Sequence, residues 1–361
     1  MKRLLGILLA LCMLFALCAC SGSGNNAPSG GGSSAAPSVQ STPAADDGET
    51  TYVLRLGAAT AGAHPHNVWM EAFEPALEEA TGGRIDVQLY PAGQLGNMAE
   101  LIQGLRDGTV DSAVFPTTYF GTTFIGATVV DLPYLFKDSE QLYRILTEND
   151  TKYTQSYEDN GIIPVTYLRL FERQILSAKK IESMADLKNV KLWSLPSAVI
   201  QQEVSAMGSV ISNLDMGELA PSLQNGTVDG ALTDKALFLS QSLYSSAKYL
   251  LDAPNDAMVS LYAISPVWWN KLPADLQEIV KQVAYETVQS DEYGYIDDMG
   301  ENAMKVMGEA GLEVVEPSAA FASELEDTLS TVTGWYLETY PETREIYDEL
   351  AALVEADNAA K

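Results

Sequence analysis

The chain has no cysteine beyond residue 20. Cys12, Cys18 and Cys20 are its only ones among 361 residues. The main body therefore holds no disulfide, no thiolate metal site and no cysteine nucleophile. Histidine is almost missing too, with only His64 and His66. Pro65 separates them, and no third histidine or cysteine supports a metal pair. They read as a helix cap or as residues at the mouth of a cleft, and no metal is expected. Positive charge is scarce: 21 Lys and Arg stand against 49 Asp and Glu, a formal charge of −28. So acidic a chain repels phosphate backbones and anionic lipid, which excludes nucleic acid as a partner. The sequence has no G-x-S-x-G elbow and no P-loop. No cofactor is expected, and a lipid-anchored hydrolase is the weakest functional reading.

What is present first is an export signal. Lys2 and Arg3 precede the apolar run LLGILLALCMLFAL, which is short for a membrane span. Leu17 to Cys20, LCAC, resembles the bacterial lipobox. Residues 1–19 read as a lipoprotein signal peptide, with Cys20 as the lipid-bearing N-terminus. Residues 20–50, rich in Gly, Ser, Ala and Pro, contain almost nothing that packs and read as a flexible tether. The membrane is then a partner through the anchor alone.

From residue 51 strands and helices alternate. YVLRLGAA is a strand, NVWMEAFEPALEEA a helix, RIDVQLY a strand, and PAGQLGNMAELIQGL a turn and helix. Such alternation implies parallel pairing. The plan returns after residue 185, and DGTVDSAVF (107–115) matches NGTVDGALT (225–233) in both residues and flanks. Two similarly built α/β lobes follow. A helical stretch at 273–311, with a bend expected near Gly294, suits a brace across both lobes. Helices near 318–339 and 342–356 finish the chain. The fold expected is α/β, two-lobed, of the periplasmic-binding-protein kind. Residues 51–172 with about 259–298 form lobe I, and 173–258 with about 299–357 form lobe II. Parallel sheets bind ligands beyond the carboxyl ends of their strands. The cleft lining is therefore expected at Thr60, His66, Thr117, Thr118, Trp193, Thr233 and Asp234.

Several segments carry a more specific signal: YPAGQLGNMAELIQGLRDGTVDSAVF, VVDLPYLFKD, DLKNVKLW, LQNGTVDGALT and NKLPADLQEIV. In this order and spacing, across residues 51 to 340, the chain resembles the substrate-binding proteins of tripartite ATP-independent periplasmic (TRAP) transporters, DctP type. The resemblance implies a non-enzymatic receptor that closes on one small solute and delivers it to TRAP-type membrane permease subunits. It also implies an arginine, on the strand after DLKG, that clamps the solute's carboxylate. Here that position is Trp193, and Arg173 matches a second arginine used by many members. Thr233 stands where members usually carry Asn, and Ala59 and Pro116 where some carry polar residues. A pocket less cationic than the family norm follows, with a ligand not held by the usual clamp. It would be neutral, aromatic or sugar-like, with any acidic group passed to Arg173. A receptor for an ATP-driven importer, or a ligand-sensing lipoprotein, shares the two-lobe logic and is the alternative.

Overall fold

The computed structural model describes residues 50–289 and 293–360. The signal peptide, Cys20 and most of the tether lie outside them. Two sheets organise the described residues. The first contains β1 (Tyr52–Gly57), β2 (Ile85–Tyr90), β3 (Ser112–Pro116) and β4 (Ile163–Arg169). The second contains β5 (Gln174–Ser177), β6 (Lys191–Trp193), β7 (Val210–Ser212), β8 (Gly230–Thr233) and β9 (Tyr249–Leu251). The chain then returns to the first sheet as β10 (Val259–Ile264), and β11 (Glu313–Val315) closes the edge of the second.

The orders are β2-β1-β3-β10-β4 and β11-β9-β5-β8-β6-β7. Read from the parallel end, the second becomes β7-β6-β8-β5-β9, the same plan as the first. In each sheet three parallel strands are followed by an antiparallel strand that arrives from the other sheet. The alternation of strand and helix predicts only parallel pairing. The two crossing strands, β5 and β10, make both sheets mixed.

The DGTVD/NGTVD repeat has a physical basis. Gly108 and Gly226 both take a positive φ, 76° and 75°, ending the preceding helix in the left-handed region. Three residues on, Asp111 accepts from the Arg55 backbone N–H of β1 (3.1 Å), and Asp229 from the Lys191 N–H of β6 (3.0 Å). Each carboxylate thereby joins its strand to the neighbouring parallel strand. One difference between the two copies bears on packing: Ser112 in β3 corresponds to Gly230 in β8. A Cβ at 230 would overlap the Leu176 carbonyl and press on Leu192.

The stretch read as a lobe brace is helical over Ala274–Thr287 and Tyr293–Glu309. Its first part packs on the helix Pro65–Ala80 and on β4. Its second part packs on the helix Lys235–Ser240, with Ile296 and Met299 meeting Phe171 and Ala236. The helix Ala319–Thr339 links the lobes differently. It packs on the helix Ala198–Ala206 of the second lobe, while the Tyr336 hydroxyl donates to the Ile125 carbonyl of the first (2.8 Å). The last helix, Arg344–Ala359, is expected with lobe II, but it packs on lobe I. Asp357 accepts from Arg144 (2.5 Å) and Glu345 from Lys152 (2.6 Å). No described helix is long and apolar enough to cross a membrane.

One substitution tests the close approach at β8. Gly230→Ala is expected to destabilise the protein by roughly 1–3 kcal/mol, since the overlap is with backbone that cannot rotate away. The reverse exchange in the other lobe, Ser112→Gly, is expected to cost less. Urea denaturation of the two variants checks both.

Candidate functional site

A cavity of about 420 Å³ opens between the two sheets. Its lining lies beyond the carboxyl ends of parallel strands on both sides. The first lobe supplies Ala59 after β1, Asn97 and Tyr119, and the second supplies Ser194 and Pro196 after β6 and Asp215 after β7. This is the position that parallel sheets offer to ligands, and the volume suits one small solute. Among the described residues, Asp215 is the only charged side chain in the lining, and no Lys, Arg or His contributes to it.

Trp193 ends β6 beside this cavity, but its ring does not line it. The side chain is 1 % exposed, and the indole N–H donates to the Leu214 carbonyl (2.9 Å). Leu214 itself lines the cavity. Trp193 therefore supports the 213–217 loop from behind, and its N–H is already committed. The open stacking surface expected at the strand end is instead a buried wedge, because β7 and its following loop cover the ring.

Arg173 is fully buried, as are its partners. One guanidinium nitrogen pairs with Asp256. The other donates to Asp131 Oδ1 and to the Thr118 hydroxyl, each at 3.2 Å. Thr118 in turn donates to Asp131 (2.6 Å), and Ser197, the N-cap residue of the helix Ala198–Ala206, donates to the other Asp131 oxygen (2.8 Å). Glu172, the neighbour that could have held Arg173, accepts from the Ser139 N–H instead (2.9 Å). The sequence reading left Arg173 available to an acidic ligand. In the folded chain two carboxylates occupy its fork.

The other candidates fall into place around this cluster. Thr117 donates to the Val259 carbonyl (3.2 Å), tying β3 to β10. Asp234 caps the helix Lys235–Ser240 by accepting from the Ala236 and Leu237 N–H groups (2.7 and 3.1 Å). Thr233 is buried at the end of β8. Thr60 lies within hydrogen-bond distance of His66 Nδ1 (3.3 Å), and Ser260 within that distance of Nε2 (2.6 Å). His64, not His66, caps the helix, its ring accepting from the His66 N–H (3.3 Å). Burial lowers the pKa of His64 to about 3 and that of His66 well below its ordinary value. Both rings are neutral near pH 7 and serve as packing, with no group of His, Cys, Asp and Glu among the described residues suited to a metal. Of the expected set, Arg173 joins Thr118 in one hydrogen-bonded cluster and Thr60 joins His66 in another.

Asp131, Asp256 and Glu203 complete the buried cluster and escaped the sequence reading. Glu203 had a visible signal. It shares the apolar stripe of its helix with Val199, Ile200 and Val204, where a charged residue is anomalous. Asn255 donates to one of its oxygens (2.9 Å), while the other has no partner among the described residues. Asp131 and Asp256 carry no such signal, since loop carboxylates usually face water.

The chain matches the model of the bacterial extracellular solute-binding proteins, family 7 (DctP), over residues 56–338. The chain belongs to the DctP family. This DctP protein is 27 % identical over 286 residues to the C4-dicarboxylate-binding periplasmic protein DctP of Rhodobacter capsulatus, covering 78 % of this chain and 85 % of that one. Among solved structures, the TRAP solute-binding protein of a Sulfitobacter with bound β-D-galacturonate has a TM-score of 0.77 at 24 % identity, covering 84 % and 99 % of the two chains. The TRAP protein of Haemophilus influenzae with bound L-gulonate reaches 0.79 at 24 %, covering 84 % and 100 %. The fold is the two-lobed one of these receptors. A DctP protein is an extracytoplasmic binder of the TRAP type and not an enzyme, which removes the hydrolase and ATP-importer readings.

The buried carboxylates generate a pH dependence. Burial raises Glu203 from its ordinary 4.5 to about 8, partly offset by Arg173. Burial likewise raises Asp234 from 3.8 to about 6, against two backbone N–H bonds. In both cases the folded state retains a proton that the unfolded chain has released. Their contribution is favourable below the unfolded values and is lost as pH rises, up to about 8 for Glu203. Glu203→Gln is expected to flatten the fall in melting temperature between pH 5 and 8.5. It should leave the variant more stable than wild type at pH 8.5. Thermal denaturation across that range is the measurement, and a parallel curve for the two proteins would contradict the assignment.

Proposed function

We propose that this protein is a lipid-anchored extracytoplasmic receptor, tethered at Cys20, that carries a small organic solute to TRAP-type membrane permease subunits. The solute occupies the cavity between the sheets and is not gripped by an arginine–carboxylate fork. One observation carries this reading: the cavity is lined from both lobes and contains no cation. Two further facts support it. Trp193 occupies the strand-end position where the resemblance puts a clamp arginine, and Arg173 is held between Asp131 and Asp256. Charge-assisted hydrogen bonds contribute about 1.5–3 kcal/mol each, so a fork missing from the wall weakens binding of a lone carboxylate roughly tenfold or more. The two lobes are the 51–172 and 173–258 segments with their returning strands, and solute binding draws them together.

Restoring the fork tests the proposal. Asn213→Arg, at an exposed position that lines the cavity, is expected to bind galacturonate at least about tenfold more tightly than wild type by titration calorimetry. Its melting temperature should rise with galacturonate as mass action requires. A wild-type protein that binds galacturonate as tightly as the variant removes the claim of a missing clamp. The anchor is tested separately. Cys20→Ser is expected to release the protein from the membrane fraction, and intact-mass analysis of wild type should show an acylated N-terminus at Cys20.

A further inference from the structure

The lining of the cavity describes a charge preference as well as a missing clamp. Tyr119 enters from the first lobe and Asp215 from the second. Burial and, after it, the Asp215 charge raise the Tyr119 hydroxyl above its ordinary value. Asp215 accepts through one oxygen from the Gly217 N–H (3.0 Å), which starts the short helical turn 216–218. This bond holds one oxygen of an otherwise exposed carboxylate. A tyrosine and a carboxylate lining one cavity from opposite lobes, with no cation among the described residues of its wall, supply the groups that hold an ammonium ion.

The buried interior behind the cavity points the same way. Arg173 lies there, and Asp131 and Asp256 both contact it. One oxygen of Asp256 has no hydrogen-bond partner among the described residues. Two carboxylates thus face one guanidinium there, which leaves no positive field to draw an anion into the cleft. The formal charge of −28 extends the same bias to the whole surface.

We propose that the solute carries a positive charge, an amine or quaternary ammonium group, and that Tyr119 and Asp215 hold that charge across the cleft. This inference rests on the cleft being the solute site, as proposed above. It narrows the substrate class to amine-bearing or zwitterionic molecules, in which any accompanying carboxylate is not the principal anchor.

The test uses tetramethylammonium as a bare cationic probe and galacturonate as the anionic one, each read by saturation-transfer NMR and titration on the folded body, residues 50–361, at low ionic strength. Asp215→Asn keeps the N-cap, since Asn caps as well as Asp, and removes only the charge. Ala99→Trp, on an exposed helix position that lines the cavity, plugs the site without disturbing the core. Tetramethylammonium is expected to bind, to lose affinity about fivefold in Asp215→Asn, and to be excluded by Ala99→Trp. Binding of tetramethylammonium that ignores both substitutions overturns the inference. If galacturonate binds and is excluded by Ala99→Trp while tetramethylammonium does not bind, the charge inference falls and the cleft stands. If neither probe responds to Ala99→Trp, the inference falls together with the cleft assignment.

Discussion

Much of this molecule turns on one buried guanidinium. Arg173 lies in the short segment that carries the chain from β4 in the first sheet to β5 in the second. Asp256 lies in the segment that brings it back from β9 to β10. The two segments are joined by backbone as well, Arg173 N–H to the Asp256 carbonyl and Leu170 N–H to that of Met258 (3.1 and 3.2 Å). The ion pair therefore fastens the crossover at which the sheets exchange strands. A buried pair of this kind adds little net stability against an apolar substitute, because desolvation offsets attraction. Its effect is to fix one geometry: a guanidinium left without its carboxylates at this depth would be far more costly than either alternative.

That constraint reaches the facing lobe through Asp131. One of its oxygens receives Arg173 and Thr118 from the first lobe and the crossover, and the other receives Ser197 from the second. The Ser197 bond joins the start of the helix Ala198–Ala206 in the second lobe to Asp131 of the first. The same arrangement explains why a family resemblance at the level of fold does not carry the ligand with it. Fold alone does not fix a ligand, and here Trp193 is a buried wedge behind the 213–217 loop at the strand end where the resemblance puts an arginine.

A good part of the fold was legible beforehand. Strand–helix alternation and the DGTVD/NGTVD repeat are local patterns, and local patterns survive folding: Gly108 and Gly226 take the turn they are suited for, and Asp111 and Asp229 join equivalent strands. The antiparallel crossing strands were not legible, because a strand buried on both faces reads as a plain apolar run whichever direction it pairs. Nor was the side on which the last helix docks, since its apolar stripe fits either lobe. At the site, Trp193 was located correctly along β6, but the sequence holds no information on whether the following loop covers the ring.

Composition and order alone settled that the body is free of cysteine chemistry, strongly acidic, built twice on one α/β plan, and related to a transport receptor family. These depend on residue identity and on neighbours within a few positions. Tertiary structure alone decided what Arg173 does. Its partners are 42 and 83 residues away in the chain, and each looks like an ordinary loop acid until the sheets exchange strands and seal all three from water.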